Sequence, residues 1–259
     1  MIPSIRLETR LESSRHLGWV IPLASVALGL FVGAFILLGA GVNPIAAYRE
    51  MAMETFGNSQ GLSEVLVLAT PLMLCGLGVM LSFKMLFWNI GAEGQLYMGA
   101  FATTWVILTG WEGSAWAMIP VMMLAGMIAG ALWALIPALL KVKLNVNEII
   151  STLLLNYIAI LWVGFLVYGP WKDPLTFNFP VTREFPEAAQ LYRFGDTRVH
   201  LGIIFATVSA LILYFLQVRS RWGYEITVMG ESPRTARYAG MKTTRNVFFV
   251  MLISGGLAG

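Results

Sequence analysis

Six long apolar runs, at about 17–40, 64–83, 86–109, 115–139, 149–169 and 200–217, constrain this chain more than any other feature. Each is close to the ~20 mostly apolar residues that an α-helix needs to cross ~30 Å of hydrocarbon. A seventh run opens near Asn246 and covers only 247–259, too short for a crossing. The expectation is an all-α, polytopic integral membrane protein with six complete transmembrane helices and a truncated seventh, from a natural protein that continues. With 58% hydrophobic and 12% charged residues and a mean hydropathy of +0.73, water is not the main solvent of the folded chain. The run at 17–40 follows Arg6, Arg10 and Arg15, as a secretory signal would. It exceeds the usual ~7–15-residue apolar core of a signal and reads as a retained first helix. The single cysteine, Cys75, lies within an apolar run and excludes an internal disulfide.

Lys and Arg gather on the cytoplasmic side of membrane proteins. With the N-terminus cytoplasmic, the inner segments hold Arg6, Arg10, Arg15, Lys84, Lys141, Lys143, Arg219, Arg221, Arg234, Arg237, Lys242 and Arg245, twelve of 17 basic residues. The outer segments hold Arg49, Lys172, Arg183, Arg193 and Arg198. This places an outer segment at 41–63, an outer loop at 170–199 and a large inner loop at 218–245. The net charge of +3 is therefore a topological signal and gives no ground for nucleic-acid binding. Two extramembrane pieces carry helix punctuation. Asn43 and Pro44 read as N-cap and first position of a surface helix stopped by Gly57. Ser232 and Pro233 do the same for a two-turn inner helix, with Gly240 at the left-handed position after it.

Charged groups at membrane depth cost at least ~2.5–3.5 kcal/mol on insertion scales, so each needs a reason. Two acids qualify. On a continuous helix Glu93 stands about 13 Å above Lys84, near the midplane. Glu148 follows Lys143 closely and lies nearer the inner surface. Four-residue spacing puts Asn89, Glu93 and Tyr97 on one helix face and Glu148, Thr152 and Asn156 on another. Two readings of these stripes stand: interhelical glue that fixes helix register, or the lining of a watery path, with an inner-surface or gating role for Glu148. Gly91 and Gly94 weaken the helix around Glu93 and suit a break or a close approach. Pro71, Pro120 and Pro137 offer kinks, and Gly126-x-x-x-Gly130 suits close packing.

The stretch Phe87-Trp88-Asn89-Ile90-Gly91-Ala92-Glu93-Gly94-Gln95, followed by Val146-Asn147-Glu148-Ile149-Ile150-Ser151-Thr152-Leu153-Leu154-Leu155-Asn156-Tyr157-Ile158, resembles the permease subunits of ABC importers for simple sugars and nucleosides. That group is related to the ribose and branched-chain amino-acid permeases. Ala69-Thr70-Pro71-Leu72 and 230–240, ending Tyr238-Ala239-Gly240-Met241, agree in the same order. The asparagine-rich 145–156 segment and the long outer loop look more like the nucleoside branch.

The resemblance implies a single transmembrane permease domain over 1–259, C-terminally truncated, with 218–245 as its cytoplasmic coupling loop. It also implies a second permease subunit, cytoplasmic ATPase subunits and an extracytoplasmic solute-binding protein as partners, in the plasma (inner) membrane of a prokaryote. No Gly-x-x-x-x-Gly-Lys-Ser/Thr loop is present, so this chain is expected to be no enzyme and to bind no cofactor, with ATP-Mg used by the partner ATPase. Asn89, Glu93, Gln95, Tyr97, Glu148, Thr152 and Asn156 are the expected path residues or its support. Gly230, Glu231, Ser232, Arg234, Ala236, Arg237, Tyr238, Ala239 and Gly240 are the expected contacts for ATPase coupling, small Ala236 and Ala239 allowing close approach. The alternatives are an ion-coupled secondary transporter or channel, which also buries carboxylates, and an intramembrane enzyme. His16 and His200 both lie outside the spans, which leaves the enzyme without a catalytic constellation.

Overall fold

The computed structural model describes residues 17–110, 113–177 and 179–259, and these are helical with irregular connections. Arg6, Arg10, Arg15 and His16 lie outside the described residues. Among the described residues, five helices are long and apolar enough to cross a membrane.

Two compact units divide the chain, Met1–Leu62 and Ser63–Gly259. In the first, α1 (Leu17–Gly39) is followed by α2 (Pro44–Phe56). The side chain of Asn43 accepts from the Ile45 and Ala46 amides, Pro44 takes the first position and Gly57 closes the helix, as the punctuation predicts. The Tyr48 hydroxyl donates to the Leu30 carbonyl at 2.8 Å, tying α2 to α1. α3 (Ser59–Lys84) begins in this unit and runs through the second.

The second unit continues with α4 (Ala92–Leu108), α5 (Ala115–Leu144), α6 (Glu148–Tyr168), α7 (Gly202–Arg219), α8 (Arg221–Glu231), α9 (Pro233–Tyr238) and α10 (Thr243–Ala258). α10 packs against both α4 and α5 through backbone-close contacts. A Cβ on Gly130 would collide with the Gly255 carbonyl, and one on Gly126 would stand 2.6 Å from the Gly259 carbonyl. The Gly126-x-x-x-Gly130 spacing is thus a packing device, as expected. The 170–199 connection is irregular, with a single helical turn at Glu187–Ala189 and one backbone bridge between Arg193 and His200. Arg198 Nη1 donates to both carboxylate oxygens of Glu64 at 3.0 Å and holds it to the start of α3.

The expected continuous span at 86–109 is corrected. Residues 85–91 are not helical, and α4 is only 17 residues long. The physical reason is the way α3 ends. Leu86 takes a left-handed backbone, φ 57°, and the Phe87 amide bonds back to the Ser82 carbonyl at 3.1 Å, the closing bond of a helix C-terminus. Such a conformation costs a bulky residue on the order of 1–3 kcal/mol, so the surroundings must enforce it. They do: Met85 and Phe87 are buried in one apolar cluster with Leu81, Ala134, Ala138, Val250 and Met251. The same cluster takes in Ile226 and Met229 of α8 and Ala236 of α9, so Lys84, the C-terminal part of α5 and the 218–245 loop share one end of this unit.

Candidate functional site

The unwound segment 85–91 carries the site, because its polar groups must be satisfied without a helix. Asn89 is fully buried. Its Nδ2 donates to Ser254 Oγ of α10 at 2.9 Å and to Gln95 Oε1 at 3.3 Å. Its Oδ1 accepts from the Gly91 amide and from Gln95 Nε2, each at 3.0 Å. Both ends of each amide are therefore used, and Gln95 is as buried as Asn89.

Asn156 grips the same backbone from α6. Its Nδ2 donates to the Ile90 carbonyl at 2.9 Å, and the Gly94 amide donates to its Oδ1 at 2.8 Å. One side chain thus satisfies a carbonyl freed by the unwound stretch and an amide in the first turn of α4. Gly94 must lack a side chain here, since a Cβ would stand 2.8 Å from Asn156 Oδ1. Thr152 is buried beside Gly91 and donates to the Glu148 carbonyl at 2.7 Å. The predicted Glu148, Thr152, Asn156 stripe is real: all three are buried, and the stripe faces the start of α4.

The other predicted stripe breaks. Since α4 begins at Ala92, Asn89 is not on the helix that carries Glu93 and Tyr97. Asn89 points into the protein, Tyr97 is half-buried and Glu93 is exposed on the surface of this chain. The helical ruler that set Glu93 about 13 Å above Lys84 fails for the same reason. Glu148, 9% exposed, opens α6 and is held by Lys141 Nζ at 2.7 Å, across the turn in which Asn145 caps α5 with φ 52° and Asn147 caps α6. A carboxylate in the first helical turn also suits the helix dipole. Sequence reasoning missed Ser254, a lone hydroxyl in the apolar run of α10. It also missed Glu225, whose Oε2 accepts from Asn246 Nδ2 at 2.8 Å and lies 3.7 Å from Arg245.

At the cluster end, Ser232 caps α9 by accepting from the Thr235 amide at 3.3 Å, Pro233 starts it and Gly240 follows with φ 72°. Ala236 is fully buried, while Glu231, Arg234, Arg237, Tyr238 and Ala239 are exposed, Tyr238 by 93%. Arg234, Arg237 and Tyr238 line one open concavity. Gly230 lies against the Lys84 carbonyl so closely that a Cβ there has no room.

Residues 61–259 match the family described as "Branched-chain amino acid transport system / permease component". The chain belongs to this permease family. Among its relatives is a glucose ABC transporter permease of Haloferax volcanii, 39% identical over 98% of this chain and 69% of the relative. A guanosine ABC transporter permease of Bacillus subtilis is 35% identical over 93% and 69% respectively. A nucleoside ABC transporter permease of Lactococcus lactis is 28% identical over 93% and 68%. No solved structure matches the chain. The permease is therefore an ABC-transporter subunit and a multi-pass protein of the prokaryotic plasma membrane, which favours this reading over the ion-coupled transporter or channel.

Proposed function

We propose that this permease forms part of the import path for a nucleoside or another sugar-containing solute, driven by ATP hydrolysed in partner ATPase subunits. The relatives named for glucose, guanosine and nucleosides share a polyhydroxylated ring as cargo or part of it. Such a solute is neutral and rich in hydroxyls, and weak hydrogen bonds suit a protein that must release what it receives.

The observation that carries this reading is Glu93, a carboxylate exposed on the surface of the chain in the first turn of α4, an apolar 17-residue helix that we place in the membrane. Lipid is a costly neighbour for it. The α4 face bearing Glu93 and Tyr97 therefore meets a watery path or a second permease subunit, and Glu93 offers acceptors to solute hydroxyls. Asn89, Gln95, Thr152 and Asn156, all buried and internally bonded, support that face from behind and do not touch solute. Glu148 serves the α5–α6 turn through Lys141.

Energy enters through α9. Its exposed Arg234, Arg237 and Tyr238 form the face that docks on an ATPase subunit, with the N-terminus of the chain and the 218–245 loop both cytoplasmic and an extracytoplasmic binding protein delivering solute. Glu93→Gln is expected to reduce uptake at low solute concentration at least fivefold in the complete transporter, and unchanged uptake rejects the path assignment. Replacing Arg237 and Ala239 with Glu is expected to uncouple ATP hydrolysis from uptake while the chain still inserts; normal uptake rejects docking at α9.

A further inference from the structure

The cytoplasmic end of the second unit raises a mechanical question: which part of the span moves when α9 is pushed? Covalently, α9 and α8 follow α7, separated from it only by Ser220. Their buried side chains meet Leu213 of α7 in the core and also reach past it. Ile226, Met229 and Ala236 lie in one cluster with Met85 and Phe87, the two buried apolar residues of the unwound segment, and with Leu81. α8 is also pinned to α10, through Asn246 Nδ2 on Glu225 at 2.8 Å and on Met229 Sδ at 3.4 Å. At its C-terminal end α8 presents Gly230 to the Lys84 carbonyl, the last helical residue of α3, with no space for a side chain between them.

We infer that α8 and α9 act as a lever on residues 85–91, and that Gly230 is the positioning residue that lets the lever reach them. Close-packed interiors are stiff and pass displacement between touching groups. A push on α9 therefore arrives at Met85 and Phe87 through Ala236, Met229 and Ile226. Two residues beyond Phe87 stands Asn89, whose amide is shared among Ser254, Gln95 and Gly91. A network of this kind holds a small number of discrete arrangements and does not deform continuously, so a shift at Phe87 re-sets the segment that presents α4 and Glu93. The unwound stretch is the two-state element, and the Leu86 left-handed residue is the joint between it and the fixed α3. This rests on the ATPase-docking reading of α9, and the test below separates the two.

The experiment uses the complete transporter with its ATPase subunits, in a Cys75→Ala background, since Cys75 is the chain's single cysteine. One cysteine is placed by Trp88→Cys, on the exposed side of the unwound segment, and in a second protein by Val208→Cys, on the exposed face of α7. Maleimide reaction rates are compared in the nucleotide-free and ATP–vanadate-trapped states. The lever requires a change of at least threefold at position 88, little change at position 208, and loss of the position-88 response when Gly230→Ala is added. The same Gly230→Ala change is expected to lower solute imported per ATP hydrolysed tenfold or more. Equal rates at position 88 in the two states, a response confined to position 208, or an undiminished response with Gly230→Ala each overturn the inference. The first two do so even if the Gly230 variant fails to assemble. If Arg237→Glu leaves uptake normal while position 88 still responds to ATP, docking at α9 is wrong and the movement arrives by another route.

Discussion

Two asparagines and a glutamate decide the behaviour of the site residue by residue. Asn156 satisfies two backbone groups at once, the Ile90 carbonyl and the Gly94 amide. Asn156→Ala leaves both without their partner, the Gly94 amide in a buried place and the Ile90 carbonyl in a part-buried one, at a cost of about 2–4 kcal/mol from the usual penalty for orphaned polar groups. A clear loss of thermal stability in the assembled transporter is the expected reading, and a change within about 0.5 kcal/mol contradicts the clasp. Glu93 makes the opposite case. It is exposed in this chain, so Glu93→Gln is expected to leave thermal stability within about 0.5 kcal/mol while uptake falls. The sequence spacing Asn89, Glu93, Tyr97 put all three on one face because it assumed a continuous helix. Hydropathy does not register a left-handed Leu86, and Leu86 and Phe87 read as span. The visible signal was the pair of glycines around Glu93: Gly91 ends the unwound stretch, while Gly94 lies inside α4 and marks the close approach to Asn156. By contrast, Glu148, Thr152 and Asn156 stand on an unbroken helix, and there the period-3.6 argument placed them correctly.

At the scale of elements, glycines that look alike in sequence separate by what they meet. Gly130 of α5 lies against the Gly255 backbone of α10, so Gly130→Ala forces these helices apart and is expected to cost about 1–3 kcal/mol, as overpacking does. Gly29 of α1 has open space around it within this chain, and Gly29→Ala is expected to be neutral or slightly stabilising. Thermal unfolding of the two variants side by side checks the contrast, and equal effects contradict the packing account. The caps were readable in advance for a local reason. Asn43 with Pro44, and Ser232 with Pro233 and Gly240, act within one turn and need no tertiary context. Ser232→Ala removes the bond from the Thr235 amide and is expected to weaken α9 by about 1 kcal/mol, seen as faster hydrogen exchange over 232–240. Ser254 was not readable, because its role depends on α10 returning to an amide 165 residues earlier.

Over the whole molecule, two features set what the permease can do: a span whose start is unwound over 85–91, and a loop helix that carries exposed cations on one side and core contacts on the other. The broken span keeps its polar groups satisfied from inside and presents a carboxylate outward. The loop helix shares an apolar cluster with that span. Membrane class and permease family were legible because both rest on composition and on motifs that are contiguous in the chain. The end at which the core concentrates was not, since it depends on which helices meet. Uptake of labelled guanosine into proteoliposomes holding the complete transporter and its binding protein tests the account most directly. Uptake is expected to require internal or external ATP on the side of α9, to survive collapse of ion gradients, and to fall with Glu93→Gln. Guanosine, glucose and other sugar-containing solutes all failing to enter with ATP, or entering on an ion gradient without it, would contradict the account.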